Sequence, residues 1–291
     1  MKQMILYLVT IVIWGSTWIA IKFQLGPVDP MVSVIYRFGL ASVLLLAFCR
    51  VRGLSLKFSL KDHCFMALMG IFLFSVNYWL VYLAEQYLTS GLVAVLFSSL
   101  VFFNMANSAF FMGAPVARKT IIGALAGIIG ITLIFLPEIR AFDASDNGLT
   151  GVAIGMLSVF LASLGNIASA RNTRHKIPVV QANAFGMTYG TLVLVIVALC
   201  LGKPFSFSLS PAYTGSLVFL AVFGSIVAFS TYLTLVGSMG ADKAAYAIMV
   251  VPVVALVISS FAEGYVWTVP AVAGLSLVLA GNFLALARRP G

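Results

Sequence analysis

The feature that most constrains this chain is a recurrence of long apolar stretches with only short polar segments between them. Stretches of about 20 mostly apolar residues fall at roughly 3–23, 32–50, 63–83, 90–112, 119–137, 149–170, 179–201, 212–236, 243–262 and 268–287. A helix rises about 1.5 Å per residue, so each can cross a hydrocarbon core about 30 Å thick. The apolar residues do not alternate, which excludes barrel strands. Of the 291 residues, 62% are hydrophobic and 9% charged, against about 25% charged in a typical soluble domain. The longest loop runs from about Pro137 to Gly148, too short for a soluble domain. These observations predict an all-α integral membrane protein of ten transmembrane helices.

The opening run MKQMILYLVTIVIWGSTWIA pairs a basic residue with an apolar stretch. It has no convincing small-x-small cleavage site and is read as the first span. Cys49, Cys64 and Cys200 are scattered, with neither a disulfide framework nor metal-ligand spacing. No metal and no cofactor is expected.

The net charge of +9 is a topology signal. With the N-terminus in the cytoplasm, thirteen of the 17 basic residues fall at inner loops and ends, among them Arg50, Arg52, Lys57, Lys61, Arg171, Arg174 and Lys176. Only Lys22, Arg140 and Lys203 fall outside, and Arg37 lies within a span. Basic loops stay cytoplasmic, so both termini are placed there. Six acids, Asp29, Glu85, Glu138, Asp143, Asp146 and Glu263, lie on the outer side. With the basic residues so distributed, nucleic-acid binding is not expected.

The halves resemble one another. TSGLVAVLFSSLVFF (89–103) aligns with GADKAAYAIMVVPVV (240–254), and IGALAGIIGITLIF (122–135) with AGLSLVLAGNFLAL (273–286). Gly123 and Gly130 repeat as Gly274 and Gly281. The offset is five spans, an odd number, so the second copy must cross in the opposite sense. The chain is read as two inverted five-helix repeats, 1–145 and 146–291, around a central cavity. Inverted repeats are the architecture of alternating-access carriers, which hold their site near the midplane.

WGSTW in the first span, YRF at 36–38, TSGLVAVLFSSL in the fourth, and the later series Pro252, Glu263, Gly274 and Gly281 occur in an order that resembles the drug/metabolite transporter superfamily in its ten-span EamA-type form. The first half departs from the pattern: Phe102 stands near where Pro252 falls in the second, and Gly113 or Ala114 near where Glu263 falls. The resemblance implies a basket in which spans 1–4 and 6–9 surround the pathway while spans 5 and 10 buttress it, in a bacterial inner membrane. Within the superfamily the chain is similar to exporters of aromatic amino acids. That likeness implies export of aromatic and other amino acids; a multidrug, organic-cation or other neutral-metabolite carrier is the alternative. The glycines of spans 5 and 10 fit close packing. Gly123-x-x-x-Gly127 is read as intramolecular, which implies a monomer or a weak homodimer.

No Asp or Glu lies deep in any expected span, and both histidines fall at cytoplasmic ends. A phosphate ester would need paired cations in the pathway, so a zwitterion or neutral, partly apolar substrate fits better. Proton coupling, if present, would have to use an edge residue such as Glu85; otherwise the protein is a facilitator. Lys22 and Arg37 are read as outer side chains that snorkel, although a buried Arg37 would point to function.

The candidate lining is aromatic and hydroxylic. On span 1, Thr10, Trp14, Thr17 and Trp18 share one side, while Gly15, Ser16, Ile19 and Ala20 form a small-residue face. On span 3, Phe74, Tyr78 and Tyr82 repeat every four residues beside Asn77. Ser98, Ser163, Asn166, Tyr232 and Tyr246 complete the cavity set, and Pro252 is the candidate hinge. Tyr82 and Tyr87 also suit an interfacial belt. Aromatic rings could hold an apolar side chain, with amides and hydroxyls near a backbone ammonium and carboxylate. The chain has no HExxH, no GxSxG and no intramembrane pair of acids or histidines. An enzyme is not expected, and neither pore loops nor a soluble signalling surface are evident.

Overall fold

The computed structural model describes residues 2–113, 118–137, 147–232 and 241–286. The expected repeat boundary at 145/146, with Glu138, Arg140, Asp143, Asp146, Arg288 and Arg289, lies outside the described residues. Every element among the described residues is helical. In chain order they are α1 Lys2–Lys22, α2 Pro30–Val51, α3 Leu60–Ala84 and α4 Ser90–Met112, α5 Arg118–Ile134 and α6 Asn147–Arg174. There follow α7 Val179–Cys200, α8 Pro211–Tyr232, α9 Ala241–Ala262 and α10 Val269–Leu286. Seven are long and apolar enough to cross a membrane, and shorter apolar stretches Ile121–Ile134, Val250–Ala262 and Val269–Leu284 stand at the other expected positions.

The helix starts follow from local chemistry. Asp29 accepts from the Met31 N–H at 2.9 Å, with Pro30 in the first turn. Ser210 caps α8 ahead of Pro211 in the same manner, and Ser59 and Thr89 cap α3 and α4. Each supplies an oxygen to an N–H the helix leaves unpaired, and proline there forfeits no bond. Gly113 closes α4 in the left-handed conformation, φ 66°, which costs glycine little.

The most extensive helix contacts pair α2 with α7 and α5 with α10. Around them α1 packs on α9, α4 on α6 and α9, and α3 on α6 and α7. The α5–α10 seam is reciprocal. A Cβ on Gly130 would collide with the Gly274 carbonyl, one on Gly274 with the Gly130 carbonyl, and one on Gly281 with the Gly123 carbonyl. Backbone-to-backbone approach of this kind is what small residues permit in lipid. The glycine heptads thus pack within the chain, and the outer face of α5 (Ile121, Ile122, Leu125, Ile128 and Ile129) is exposed.

Four helices are irregular. α3 is π-helical over Ile71–Val76 and α8 over Leu220–Val227, about 150 residues apart, the offset of the sequence repeat. α4 breaks at Ser98–Ser99 between Ser90–Phe97 and Leu100–Met112. α9 contains Pro252.

Leucine at Gly274 is expected to destabilise the protein by about 1–3 kcal/mol, the usual cost of forcing bulk into a packed seam. Gly215 has open space around it, so Gly215→Ala should shift stability by less than about 1 kcal/mol, and favourably. Thermal unfolding of the two variants in detergent checks the contrast.

Candidate functional site

The irregular helices converge on one space. A cavity of about 320 Å³ lies between α1, α3, α4, α6, α8 and α9. Its wall includes Trp14, Thr17, Trp18, Asn77, Tyr78, Ser98, Asn166, Tyr232 and Pro252, nine of the residues singled out from sequence. No charged side chain lines it among the described residues.

Two of the remaining three fall elsewhere. Tyr82 is fully buried, and its Oη donates to Gln24 Oε1 at 2.6 Å, outward of the cavity. The helix is regular from Asn77 to Ala84, so Tyr82 stands one turn beyond Tyr78, past the end of the cavity wall. Ser163 is buried in the α4–α6 contact, where its Oγ accepts from Asn107 Nδ2 at 2.8 Å. The side chain of Tyr246 lies outside the described residues.

Aromatic rings set the shape. Trp14 meets Phe229 edge-on with centroids 5.4 Å apart, and Tyr232 at 5.2 Å. Trp18 meets Phe97 at 5.0 Å. The small-residue face of α1 serves two neighbours. Gly15 abuts Val254 of α9, while Ser16, Ile19 and Ala20 face Ala212, Gly215, Ser216 and Phe219 of α8 across an open cleft.

The polar groups divide by whether they are already used. Asn77 is committed: Nδ2 donates to the Leu73 carbonyl at 3.0 Å and Oδ1 accepts from Ser158 Oγ at 2.6 Å. It serves a carbonyl beside the π-helical turn and joins α3 to α6. Asn166 Nδ2 donates to Asn104 Oδ1 at 3.3 Å. That leaves Asn104 Nδ2 and Asn166 Oδ1 with capacity at the cavity wall, a donor beside an acceptor. At the break in α4, the hydroxyls of Ser98 and Ser99 donate to the Val95 and Leu96 carbonyls at 2.5 and 2.6 Å. Pro252 has no N–H, so the Ile248 carbonyl, one turn back at the same wall, receives no helical bond from it.

Sequence reasoning did not single out Phe97, Phe229, Leu73 or Val251, which also line the cavity. The chain has 23 phenylalanines, and nothing in the local sequence separates one facing a cavity from one facing lipid.

Beyond the Trp18–Phe97 contact, at the Lys22 end of α1, lies a polar plug. Lys22 Nζ donates to the Glu85 carbonyl, to the Leu88 carbonyl at 2.7 Å, and pairs with Glu263 Oε1 at 3.5 Å. The Glu263 carboxylate accepts from the Ser90 N–H at 3.0 and 3.1 Å, from the Ser90 hydroxyl, and from Ser259 Oγ at 2.8 Å. It sits at the N-terminus of α4, where the helix dipole favours negative charge. The expectation that Lys22 snorkels to the interface is corrected here: three backbone and carboxylate oxygens hold it inward. Arg37 does not snorkel either. It is 1% exposed, with its guanidinium carbon 4.5 Å from the Tyr78 ring centroid and 4.9 Å from that of Phe38. Glu85, expected at an edge, is fully buried. A charged group so placed is costly unless paired. Burial pushes the Glu85 carboxyl well above the usual carboxylate range; Lys22 and Arg37 oppose the rise and Glu263 adds to it.

Comparison with known proteins places these features in a lineage. A family described as the EamA-like transporter family matches residues 1–136 and again 149–287. The chain is 29% identical over 254 residues to the uncharacterized inner membrane transporter YedA of Escherichia coli K12, covering 86% of this chain and 79% of that protein. It is 26% identical to an uncharacterized transporter of Archaeoglobus fulgidus, over 99% of this chain and 100% of the other. Protein PagO of Salmonella typhimurium is 22% identical over 98% of this chain and 93% of its own length. A solved crystal structure at 17% identity superposes with a TM-score of 0.70, covering 98% of this chain and 96% of that one.

Glu85 also sets a pH dependence. An acid whose folded-state pKa is raised stabilises fully below its unfolded value, near 4.5, and loses that contribution as pH climbs toward and through the raised value. Thermal unfolding should therefore occur at lower temperature at about pH 8 than at about pH 5, and Glu85→Gln should flatten the difference. Melting curves of both proteins across pH check it.

Proposed function

Since the chain belongs to the EamA-like transporter family and is a membrane transporter of the inner membrane, we propose that it is an alternating-access carrier that exports aromatic and other amino acids from the cytoplasm. One observation carries the reading: six aromatic rings, Trp14, Trp18, Tyr78, Phe97, Phe229 and Tyr232, share a single uncharged cavity with the Asn104–Asn166 amide pair. The rings suit an apolar or aromatic side chain. The unused amide donor and acceptor suit a carboxylate and an ammonium on one carbon. At about 320 Å³, the cavity stands at the small end of ligand sites, which run from roughly 300 to 1,000 Å³. It fits a single amino acid better than a large drug.

A flat organic cation is the alternative that the aromatic wall would admit. Arg37 argues against it. Its guanidinium already stacks on Tyr78, so positive charge lies one ring from the cavity, favouring a substrate with a carboxylate over a bare cation.

The paired irregularities support two inverted five-helix repeats, with the boundary near 145/146. The π-helical turns of α3 and α8 match under the repeat, and the α5–α10 seam is reciprocal, as a two-fold axis in the membrane plane requires. The working unit is then the single chain, with at most a weak homodimer, because the glycine faces are occupied internally. Both termini face the cytoplasm, no cofactor takes part, and Pro252 and the break in α4 are the hinges.

The decisive measurement is counterflow in proteoliposomes loaded with phenylalanine. Saturable uptake of labelled phenylalanine, with competition by tyrosine and tryptophan but not by choline or glucose, is the expected result; failure of aromatic amino acids to move or compete sinks the substrate reading. Trp14→Ala removes one ring from the cavity wall, and an aromatic contact to the substrate contributes about 0.5–1.5 kcal/mol, so half-saturation should rise about two- to tenfold. Asn166→Ala should weaken transport several-fold. Asn77→Ala should act chiefly by lowering thermal stability, because its amide is spent within the protein.

A further inference from the structure

A second cavity, of about 510 Å³, is larger than the first and lies on other faces of the same helices. α3 presents Asn77 and Tyr78 to the central cavity but Phe65, Leu68 and Phe72 to this one; α6 presents Ala162 and Asn166 to the first, Leu164 and Ile167 to the second. Leu68 is 41% exposed and Phe111, at the end of α4, 57% exposed, so the groove opens sideways to the surroundings. Its polar residues all stand at one end: Arg171, Arg174 and His175.

These three differ in what they have left to offer. Arg171 is paired with Asp62 at 2.9 Å, and its guanidinium lies 3.9 Å from the Phe65 ring centroid. The His175 ring is tied through Nδ1 to the Arg171 carbonyl at 3.0 Å, which turns Nε2 to the other side. Arg174 is exposed and has no acidic partner among the described residues. The groove end thus carries an uncompensated positive charge above a long apolar floor. By the distribution of basic residues, that end meets the cytoplasmic leaflet.

We propose that this groove is a binding site for an anionic phospholipid of the inner leaflet, with an acyl chain along α3 and α6 and its phosphate at Arg174 and the free edge of His175. An amino acid has no long apolar body to fill the groove, and a soluble anion has no use for its floor. A zwitterionic lipid meets the same arginine but brings its own cation, so the charge excess selects the anionic head. Bound there, the lipid braces two helices that line the transport cavity with their other faces. The inference is independent of which cargo that cavity takes.

The test uses the full-length protein, delipidated in detergent, with dioleoyl phosphatidylglycerol, dioleoyl phosphatidylethanolamine or glycerol phosphate added in turn. Native mass spectrometry and thermal unfolding are the readouts. Phosphatidylglycerol should remain bound and raise the unfolding temperature more than phosphatidylethanolamine, and glycerol phosphate should do neither. Arg174→Gln should weaken phosphatidylglycerol binding about fivefold, the worth of one basic residue at an anionic surface. Leu68→Trp, which fills the floor, should lower both lipids together. Each variant must first match the parent's unfolding temperature in detergent alone; if one fails, the charge-removing Arg174→Ser and Leu68→Phe replace them. Equal retention of the two lipids overturns the proposal. So does a phosphatidylglycerol preference that survives both substitutions, or a shift reproduced by glycerol phosphate alone.

Discussion

In hydrocarbon every backbone N–H and C=O must find its partner inside the protein, because no water is there to take the bond. That demand makes the described chain helical throughout and gives each departure from regular helix a meaning. The departures in this protein gather at one place. The π-helical turns of α3 and α8, the Ser98–Ser99 break in α4 and Pro252 in α9 all belong to helices that wall the central cavity. At each, a side chain or the open space takes up what the helix releases. Asn77 serves the Leu73 carbonyl, Ser98 the Val95 carbonyl and Ser225 the Leu220 carbonyl. α5 and α10, which lie apart from the cavity, are regular and touch through glycine.

The outer plug obeys the same demand for charges. Glu263 is the hub: one carboxylate caps α4, accepts from α9 through Ser259 and pairs with Lys22 of α1. Three helices are tied at this end without a charged group entering the cavity. Arg37 and Glu85 are the strained members, buried beside this hub with polar atoms that have no partner. Buried groups of that kind are retained at a cost.

The chain therefore has two kinds of interior. The central cavity is aromatic, amide-bearing and free of charge among the described residues; the plug is ionic. The lateral groove between α3 and α6 is a third environment, apolar with a basic mouth. α3 takes part in all three.

Much of this was legible in the sequence. Helix positions came from apolar length, the glycine seam from the heptad repeats, and nine cavity residues from placing polar and aromatic side chains near the middle of apolar spans. Trp14 and Trp18 are examples: a 100° step per residue puts them on one face, and the helix containing them is regular. The reading fails where a distant partner claims the side chain. Tyr82 and Ser163 were read as cavity residues, but Gln24 holds Tyr82 one turn beyond the cavity and Asn107 holds Ser163 in a helix contact. Lys22 and Arg37 looked like snorkelling cations because sequence counts residues from a helix end and cannot see the carboxylate or ring that arrives from another helix. By itself, then, the sequence determined that the chain must be a bundle of membrane-crossing helices with paired halves, since apolar length and periodicity are local properties. Which phenylalanines face the cavity, which amides remain unspent and which charges are buried were decided only by tertiary structure, because each depends on a partner from a distant part of the chain.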